Sequence, residues 1–277
     1  MMTPLLCAAL LAAAPKPFLE GPTVEGVTEY ALPNGLRLLL VPDGASSTVT
    51  VNLTVLVGSR HEGYGEKGMA HLLEHLLFKG SPRYPDPKKA LALHGGNWNA
   101  STAEDRTTYY ETMPASAANL EFGVRFEADR LVNSFVAKKD LDAEMPVVRN
   151  EFEDGENSPA GVLYERVRAA AMTWHNYGRA IIGTRTDLER VPVDNLKSFY
   201  QRYYQPDNAV LVLTGRFDQA QAFRLVADAF GKLPRPARTL HDTFTTEPTQ
   251  DGERAVTVRR AGGAPLLRVA WHIPASS

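Results

Sequence analysis

An α+β sandwich is the fold class this sequence predicts, and three observations carry the prediction. Strand-like runs at Leu36 to Val41, Val49 to Val57 and Ala209 to Thr214 alternate with longer helical segments at Gly68 to Phe78, Ala117 to Asn133 and Asp194 to Tyr203. Both kinds of element carry leucine and valine stripes, which read as core and give no hint of a cofactor box. Hydrophobic residues make up 44% of the chain and charged residues 22%, enough for a sizeable core and outside the range of disordered sequences. The net charge of -2 gives no basis for a nucleic-acid surface, so that class of function is set aside.

The first feature along the chain is the apolar run Leu5 to Ala14. Ala12-Ala13-Ala14 at its end resembles a cleavage site, which suggests an export signal within residues 1–20 and a periplasmic or secreted protein. No Lys or Arg precedes the run, and Pro15 is a poor residue to follow a cut, so a cytoplasmic location is the alternative. Ten residues are too few to span a bilayer, and no transmembrane span is expected. Cys7 is the only cysteine, so no disulfide forms within the chain. Leu6 before it is too bulky for lipoprotein processing.

The segment Gly68 to Phe78 contains His71-Leu72-Leu73-Glu74-His75, an H-x-x-E-H run. In a helix, positions i, i+3 and i+4 share one face, so both imidazoles and the carboxylate point the same way. Two His side chains so placed can share one Zn²⁺, and the Glu between them can reach a water at that metal. The inverted order of this motif is itself a zinc-peptidase signature. The bland alternative is a chance cluster on a solvated face. Leu72, Leu73, Leu76, Leu77 and Phe78 argue against it, because they make the helix apolar around most of its circumference. A buried Glu beside two imidazoles is costly unless something cationic satisfies it.

Further along, Gly95-Gly96 followed by Asn97-Trp98-Asn99 would ordinarily be read as a turn. Tyr109 and Tyr110 read equally well as packing residues. His61, His94 and His175 have no partner at ligand-like spacing and read as structural. The acidic run Glu144 to Glu156 reads for the most part as a solvated helix face. A third metal ligand must come from outside the H-x-x-E-H helix, and this run supplies the best candidates. Glu144 and Glu151 are two helical turns apart and share a face, whereas Glu153 and Glu156 point elsewhere. Spacing does not choose between Glu144 and Glu151.

The core is expected to end near Leu233-Pro234-Arg235-Pro236, a Pro-punctuated boundary. Thr245 to Glu253 reads as a polar linker. Val256-Thr257-Val258 and Leu266 to His272 then look like two strands joined by Ala261-Gly262-Gly263-Ala264-Pro265. The expected organisation is a possible signal over 1–20, a main domain over 25–235, and a linker with the start of a second domain over 236–277. No repeat of the first domain and no low-complexity segment is visible.

Taken together, these blocks resemble the insulinase/pitrilysin family of inverted-motif zinc peptidases. The matching residues run in family order. They start with Leu32-Pro33-Asn34-Gly35-Leu36-Arg37, Gly58-Ser59-Arg60-His61-Glu62 and Gly68-Met69-Ala70 before the H-x-x-E-H helix. Phe78-Lys79-Gly80, Asn99-Ala100-Ser101-Thr102, Thr107 and Tyr109 follow it. Glu144, Val147-Val148-Arg149-Asn150-Glu151, His175-Asn176-Tyr177-Gly178, Tyr204-Gln205-Pro206-Asp207-Asn208 and Gly215 close the series. Each block is weak alone; their order is specific.

The resemblance implies a processing-peptidase-like domain, an α+β fold whose antiparallel-rich sheet carries helices packed on one face. It implies Zn²⁺ held by His71, His75 and Glu151, with Glu74 as general base. It makes Glu144 a carboxylate that orients the site and assists catalysis, since ligating imidazoles need a partner on their other nitrogen. It turns the Gly-Asn stretch into an edge strand on which an extended peptide adds in β-fashion, with Asn99 and Ala100 as contacts. The implied substrates are flexible or unfolded polypeptides. Nothing in the zinc constellation departs from the family pattern, so the site reads as competent.

Complete family members also use an Arg–Tyr pair from a second related domain, which this chain lacks. The tail after residue 236 resembles the opening of that domain, cut off at Ser277. The chain is therefore expected to be either a fragment or the partner of a separate domain or subunit. A zinc metalloendopeptidase is the leading function. A zinc-retaining, non-catalytic peptide-binding or assembly subunit is the alternative. The intact Glu74 favours the first, because a structural zinc site needs no general base.

Overall fold

The computed structural model of the chain describes residues 17–261 and 264–274. The export signal expected at Leu5 to Ala14, with Cys7 inside it, lies outside the described residues. No described helix is long and apolar enough to cross a membrane.

The first three strands are β1 (Leu19–Val24), β2 (Val27–Ala31) and β3 (Arg37–Pro42). The sheet therefore begins ahead of residue 25, where the sequence reading opened the domain. The reason is local. Glu25 and Gly26 both take positive φ, 52° and 83°, which closes β1 onto β2 as a tight antiparallel hairpin. Phe18, just before it, is buried with its ring 5.0 Å from that of Phe223.

β4 (Thr48–Val55) follows, then the helices α1 (Met69–Leu76) and α2 (Pro87–Leu93), and the strands β5 (Asn97–Thr102) and β6 (Thr107–Pro114). α3 (Ala117–Asn133), α4 (Lys138–Asn157), α5 (Pro159–Ala171), α6 (Arg185–Arg190), α7 (Val193–Tyr203), β7 (Ala209–Gly215) and α8 (Gln219–Ala229) complete the fold. The strand order is β1-β2-β3-β7-β4-β6-β5, and every pairing is antiparallel except β3 with β7. The expected antiparallel-rich α+β architecture is what the structure shows.

Alternation explains why the helices occupy one face. In β4 the residues Val49, Val51, Leu53 and Val55 are buried, and Thr48, Thr50, Asn52 and Thr54 between them are not. On the outer face Thr50 and Thr54 bond the hydroxyls of Thr112 and Thr108 at 2.8 and 3.1 Å, so the wet side is finished by a polar ladder. The dry side receives α3, and the closest approach is at Gly123. A Cβ there would lie 2.7 Å from a methyl of Val51, so only Gly lets helix and sheet meet.

Three ionisable residues lie inside this layer. Glu111, Glu127 and Arg130 are all buried, with Arg130 bonding Glu127 at 2.7 Å. The Arg130 guanidinium stacks over the rings of Phe126, Phe78 and Tyr109 at 4.4, 4.7 and 5.1 Å.

The tail departs from expectation. Residues 256–258 and 266–272, predicted as two strands, form no strand. Their alternating pattern needs a neighbouring strand to register against, and among the described residues none lies alongside them. Single contacts attach the segment instead: Arg254 donates to the carbonyl of Ala170 at 2.9 Å, and the His272 ring lies 2.7 Å from that of Ala171.

Candidate metal centre and active site

The centre is built on α1, whose N-terminus is fixed by a residue in the loop just before the helix. Gly68 sits before it at φ +98°, with no room for a side chain against Ile182 and Leu188. Glu62, 2% exposed, accepts the N–H groups of Gly68 and Ala70 at 2.9 Å each, replacing the absent side-chain cap. Burial pushes the Glu62 carboxyl up to about 7, against these two hydrogen bonds and the Lys67 charge. Glu62→Ala strands both donors in a dry site. We expect it to lower stability by about 2–4 kcal/mol, read from denaturant unfolding, with Glu62→Gln losing less.

Helical spacing divides α1 into two faces. Met69, Ala70, Leu72, Leu73 and Leu76 are buried, while His71, Glu74 and His75 line the open face, each partly accessible. Across from them runs α4, which carries Glu144 and Glu151 on one side. The two imidazole rings are 4.8 Å apart and nearly perpendicular. Oε2 of Glu151 lies 3.4 Å from Nε2 of His75 and 3.6 Å from Nε2 of His71. Ligand atoms of these three residues all lie within 4.8 Å of one another.

The donor set fits a metal ion. The separations are too long for good hydrogen bonds and leave a gap between converging atoms. Burial, helped by the neighbouring His75, lowers His71 to about 4, so its ring is neutral near pH 7 with a lone pair to offer. Two imidazoles and one carboxylate match the three-ligand pattern of an open zinc site. Among the described residues, His71 Nδ1 is buried without a hydrogen-bond partner, and Glu144 orients the His75 ring alone.

Glu144 and Glu151, which spacing could not separate, contact different nitrogens of the same ring. Oε1 of Glu144 lies 3.0 Å from Nδ1 of His75, and Glu151 faces Nε2. Burial raises the Glu144 carboxyl, but hydrogen bonds from Lys79 and His75 and their charges outweigh it, and the net shift is downward. Glu153 turns away toward Arg185 at 3.9 Å.

Glu74 points at the edge strand. Its Oε2 accepts the hydroxyl of Thr102 at 2.6 Å. Burial raises the Glu74 carboxyl, and the Thr102 bond, the first opposing influence, pulls it part of the way back. β5 is the terminal strand of the sheet, as expected, with Asn99 exposed and Ala100 half-buried on the same face as Thr102. Tyr109 is fully buried and bonds the hydroxyl of Tyr204 at 2.8 Å, a packing role. The structural reading of the other histidines fits their contacts. His61 Nδ1 accepts from Gly58 at 3.1 Å, His175 Nδ1 accepts from Tyr177 at 3.1 Å, and His94 stacks on Phe122 at 3.8 Å.

Sequence reasoning did not assign roles to Glu62, Lys79 or Thr102. Lys79 carried a local signal, four residues after His75 and just beyond the end of α1. Thr102 reaches α1 only through the tertiary fold, and Glu62 from the loop just before the helix, with no spacing that marks its role.

The chain is similar to known proteins in both sequence and fold. Residues 37–185 match the family model described as insulinase (peptidase family M16), and residues 190–277 match that of the peptidase M16 inactive domain. The chain belongs to the insulinase (M16) peptidase family. It is 32% identical over 246 residues to the zinc protease PqqE of Helicobacter pylori, covering 87% of this chain and 54% of that protein. It is 30% identical over 219 residues to the mitochondrial-processing peptidase subunit beta of Blastocladiella emersonii, covering 77% of this chain and 47% of the relative. Among solved structures, the periplasmic protease PqqL of Escherichia coli superposes with a TM-score of 0.75 at 26% identity, covering 83% of this chain and 26% of that one. The chain thus spans about half the length of the curated relatives it matches.

Proposed function

We propose that this chain is the metal-binding half of a zinc metalloendopeptidase that hydrolyses extended or unfolded polypeptides. The observation that carries this reading is the convergence of His71, His75 and Glu151 within 4.8 Å, with the Glu74 carboxylate on the same helix face. His71, His75 and Glu151 are the residues that would hold the metal. Zn²⁺ bound there supplies Lewis acidity toward water and toward a peptide carbonyl.

The chain's own groups do the rest. Glu74 takes the proton of the attacking water and passes it to the leaving nitrogen, a role helped by burial that raises its pKa toward the working range. Thr102 holds the carboxylate through Oε2 and thereby aims the other oxygen. Glu144 holds the His75 ring. The free edge of β5 receives the peptide as an added strand, with Asn99 and Ala100 beside the scissile bond.

Thr102→Val removes the hydroxyl with little change of shape. We expect turnover to fall about ten- to a hundredfold with KM nearly unchanged, as for loss of a hydrogen bond to a charged group. Thr102→Ser should restore most of it, and steady-state kinetics on a quenched peptide check both.

The domain division proposed is 25–235 for the catalytic unit, extended to Leu19 by β1, and 236–277 for a linker and the start of a second unit. A half-enzyme that needs a second family domain or subunit for its Arg–Tyr pair is a second reading, favoured by the half-length match to relatives. A periplasmic or secreted location accords with the apolar run at Leu5 to Ala14.

The test is hydrolysis of quenched unstructured peptides by the purified chain, with and without a chelator and with and without a separately supplied second half. Chelator-sensitive cleavage by the chain alone supports the peptidase reading outright. Cleavage only with the second half supports the half-enzyme. Absence of cleavage in both, with zinc bound, contradicts a catalytic role and favours a peptide-binding subunit.

A further inference from the structure

The roles assigned above leave one charged group beside the centre unused, the ammonium of Lys79. Lys79 follows the C-terminal end of α1, and its side chain is 26% exposed. Its Nζ contacts Oε2 of Glu144. The other oxygen of that carboxylate, Oε1, lies 3.0 Å from Nδ1 of His75, whose Nε2 faces Glu151 at 3.4 Å. Lys79, Glu144 and His75 therefore form a chain of contacts that ends at the nitrogen facing the centre. Among the described residues, the Lys79 ammonium and the His75 ring are the two side-chain groups that reach Glu144.

The terminal torsion of a Glu side chain is soft, so a carboxylate held by one oxygen still rotates about its axis. His75 by itself fixes one oxygen of Glu144. Lys79 fixes the second, which sets the carboxylate plane and aims Oε1 at the imidazole. Glu144 itself is 13% exposed, so solvent offers few competing partners for either oxygen. A ring held through Nδ1 has its Nε2 directed before any ligand arrives, and such outer contacts govern metal affinity.

We propose that Lys79 is a positioning residue of the metal centre, acting through Glu144 to fix the His75 ring and so raise affinity for Zn²⁺. This rests on the assignment of His71, His75 and Glu151 as ligands in the proposed function.

The experiment measures the zinc dissociation constant of the full chain by chelator competition, for the wild type, Lys79→Met, Lys79→Arg, Glu144→Gln and the Lys79→Met/Glu144→Gln pair. Unfolding of the metal-free proteins is followed in parallel. The expected result is a roughly ten- to hundredfold weaker affinity in Lys79→Met, as for loss of other outer partners of a ligating His. Metal-free stability should stay at the wild-type level, and Lys79→Arg should recover most of the affinity. In the double variant Lys79→Met should add almost nothing to Glu144→Gln, because the two act along one path. Lys79→Gln serves as a second neutral variant should Lys79→Met not fold.

Wild-type affinity in both neutral variants overturns the proposal. So does an effect that adds in full to that of Glu144→Gln, or a loss that Lys79→Arg does not recover and that tracks metal-free stability. A wild-type chain that binds no zinc overturns the ligand assignment itself, and this proposal with it. Zinc binding that is indifferent to Lys79 overturns this proposal alone.

Discussion

Glu74→Gln is expected to lower peptide hydrolysis by about 10²- to 10⁴-fold, the span over which a positioned general base contributes. Gln matches the shape of Glu and can still accept the Thr102 hydroxyl through its amide oxygen, but it cannot take a proton from water. The three residues assigned to the metal are untouched, so zinc content should stay at the wild-type value. That pairing of outcomes is informative. Activity lost with metal retained assigns Glu74 to proton transfer, whereas metal lost as well would make its role structural. Undiminished hydrolysis would remove Glu74 from the mechanism. Rates on a quenched peptide and metal analysis of the same samples are the two measurements needed.

Arg130→Met is expected to destabilise the fold by about 3–5 kcal/mol, the usual consequence of removing one partner from a buried ion pair. For a chain of this size that is roughly a 6 to 20 °C fall in the melting midpoint. Methionine fills much of the volume between Phe78, Tyr109 and Phe126, so the loss is chiefly the buried Glu127 left without its cation.

Glu111 behaves differently. Burial, then the nearby Glu127, pushes its carboxyl well above the ordinary carboxylate range, so the folded protein keeps a proton there that the unfolded chain releases. The stability tied to this proton is complete below the unfolded pKa of 4.5 and is lost as pH rises toward the folded value. Glu111→Gln should therefore cost much less than Arg130→Met and should flatten the decline of stability with rising pH. Denaturant unfolding of the variants at several pH values checks both statements. An Arg130→Met protein as stable as the wild type, or a Glu111→Gln protein with an unchanged pH slope, would show that the cluster is hydrated and unimportant.

The centre was legible in the sequence to the extent that it is local. His71, Glu74 and His75 announce themselves because helical periodicity alone places them on one face. Glu151 did not, since Glu144 shares its face two turns away, and only the family resemblance separated them. In the structure both reach His75, one at each ring nitrogen, so the ambiguity in spacing reflects two real contacts. Thr102 lies on the edge strand, and which carboxylate it meets is decided by how sheet and helices pack; Glu62 lies in the loop before α1, where no spacing rule marks it as a cap.

The sheet shows the same division. β3, β4 and β7 were visible as apolar runs, and α3 matched its predicted limits at Ala117 and Asn133. β1 was missed because its residues are all exposed and carry no buried stripe. α5 likewise buries none of its residues fully, and it gave no periodic signal strong enough to read. The two strands expected in the tail had the right pattern, yet a pattern becomes a strand only beside a partner.

Anomalous diffraction at the zinc edge, from crystals of the purified chain grown with zinc, tests the ligand assignment most directly. The structure predicts a single strong peak bounded by Nε2 of His71, Nε2 of His75 and Oε2 of Glu151, with Glu74 beside it and outside the coordination sphere. A peak held by other residues, or no peak at these three under saturating zinc, would contradict the assignment on which the proposed chemistry depends.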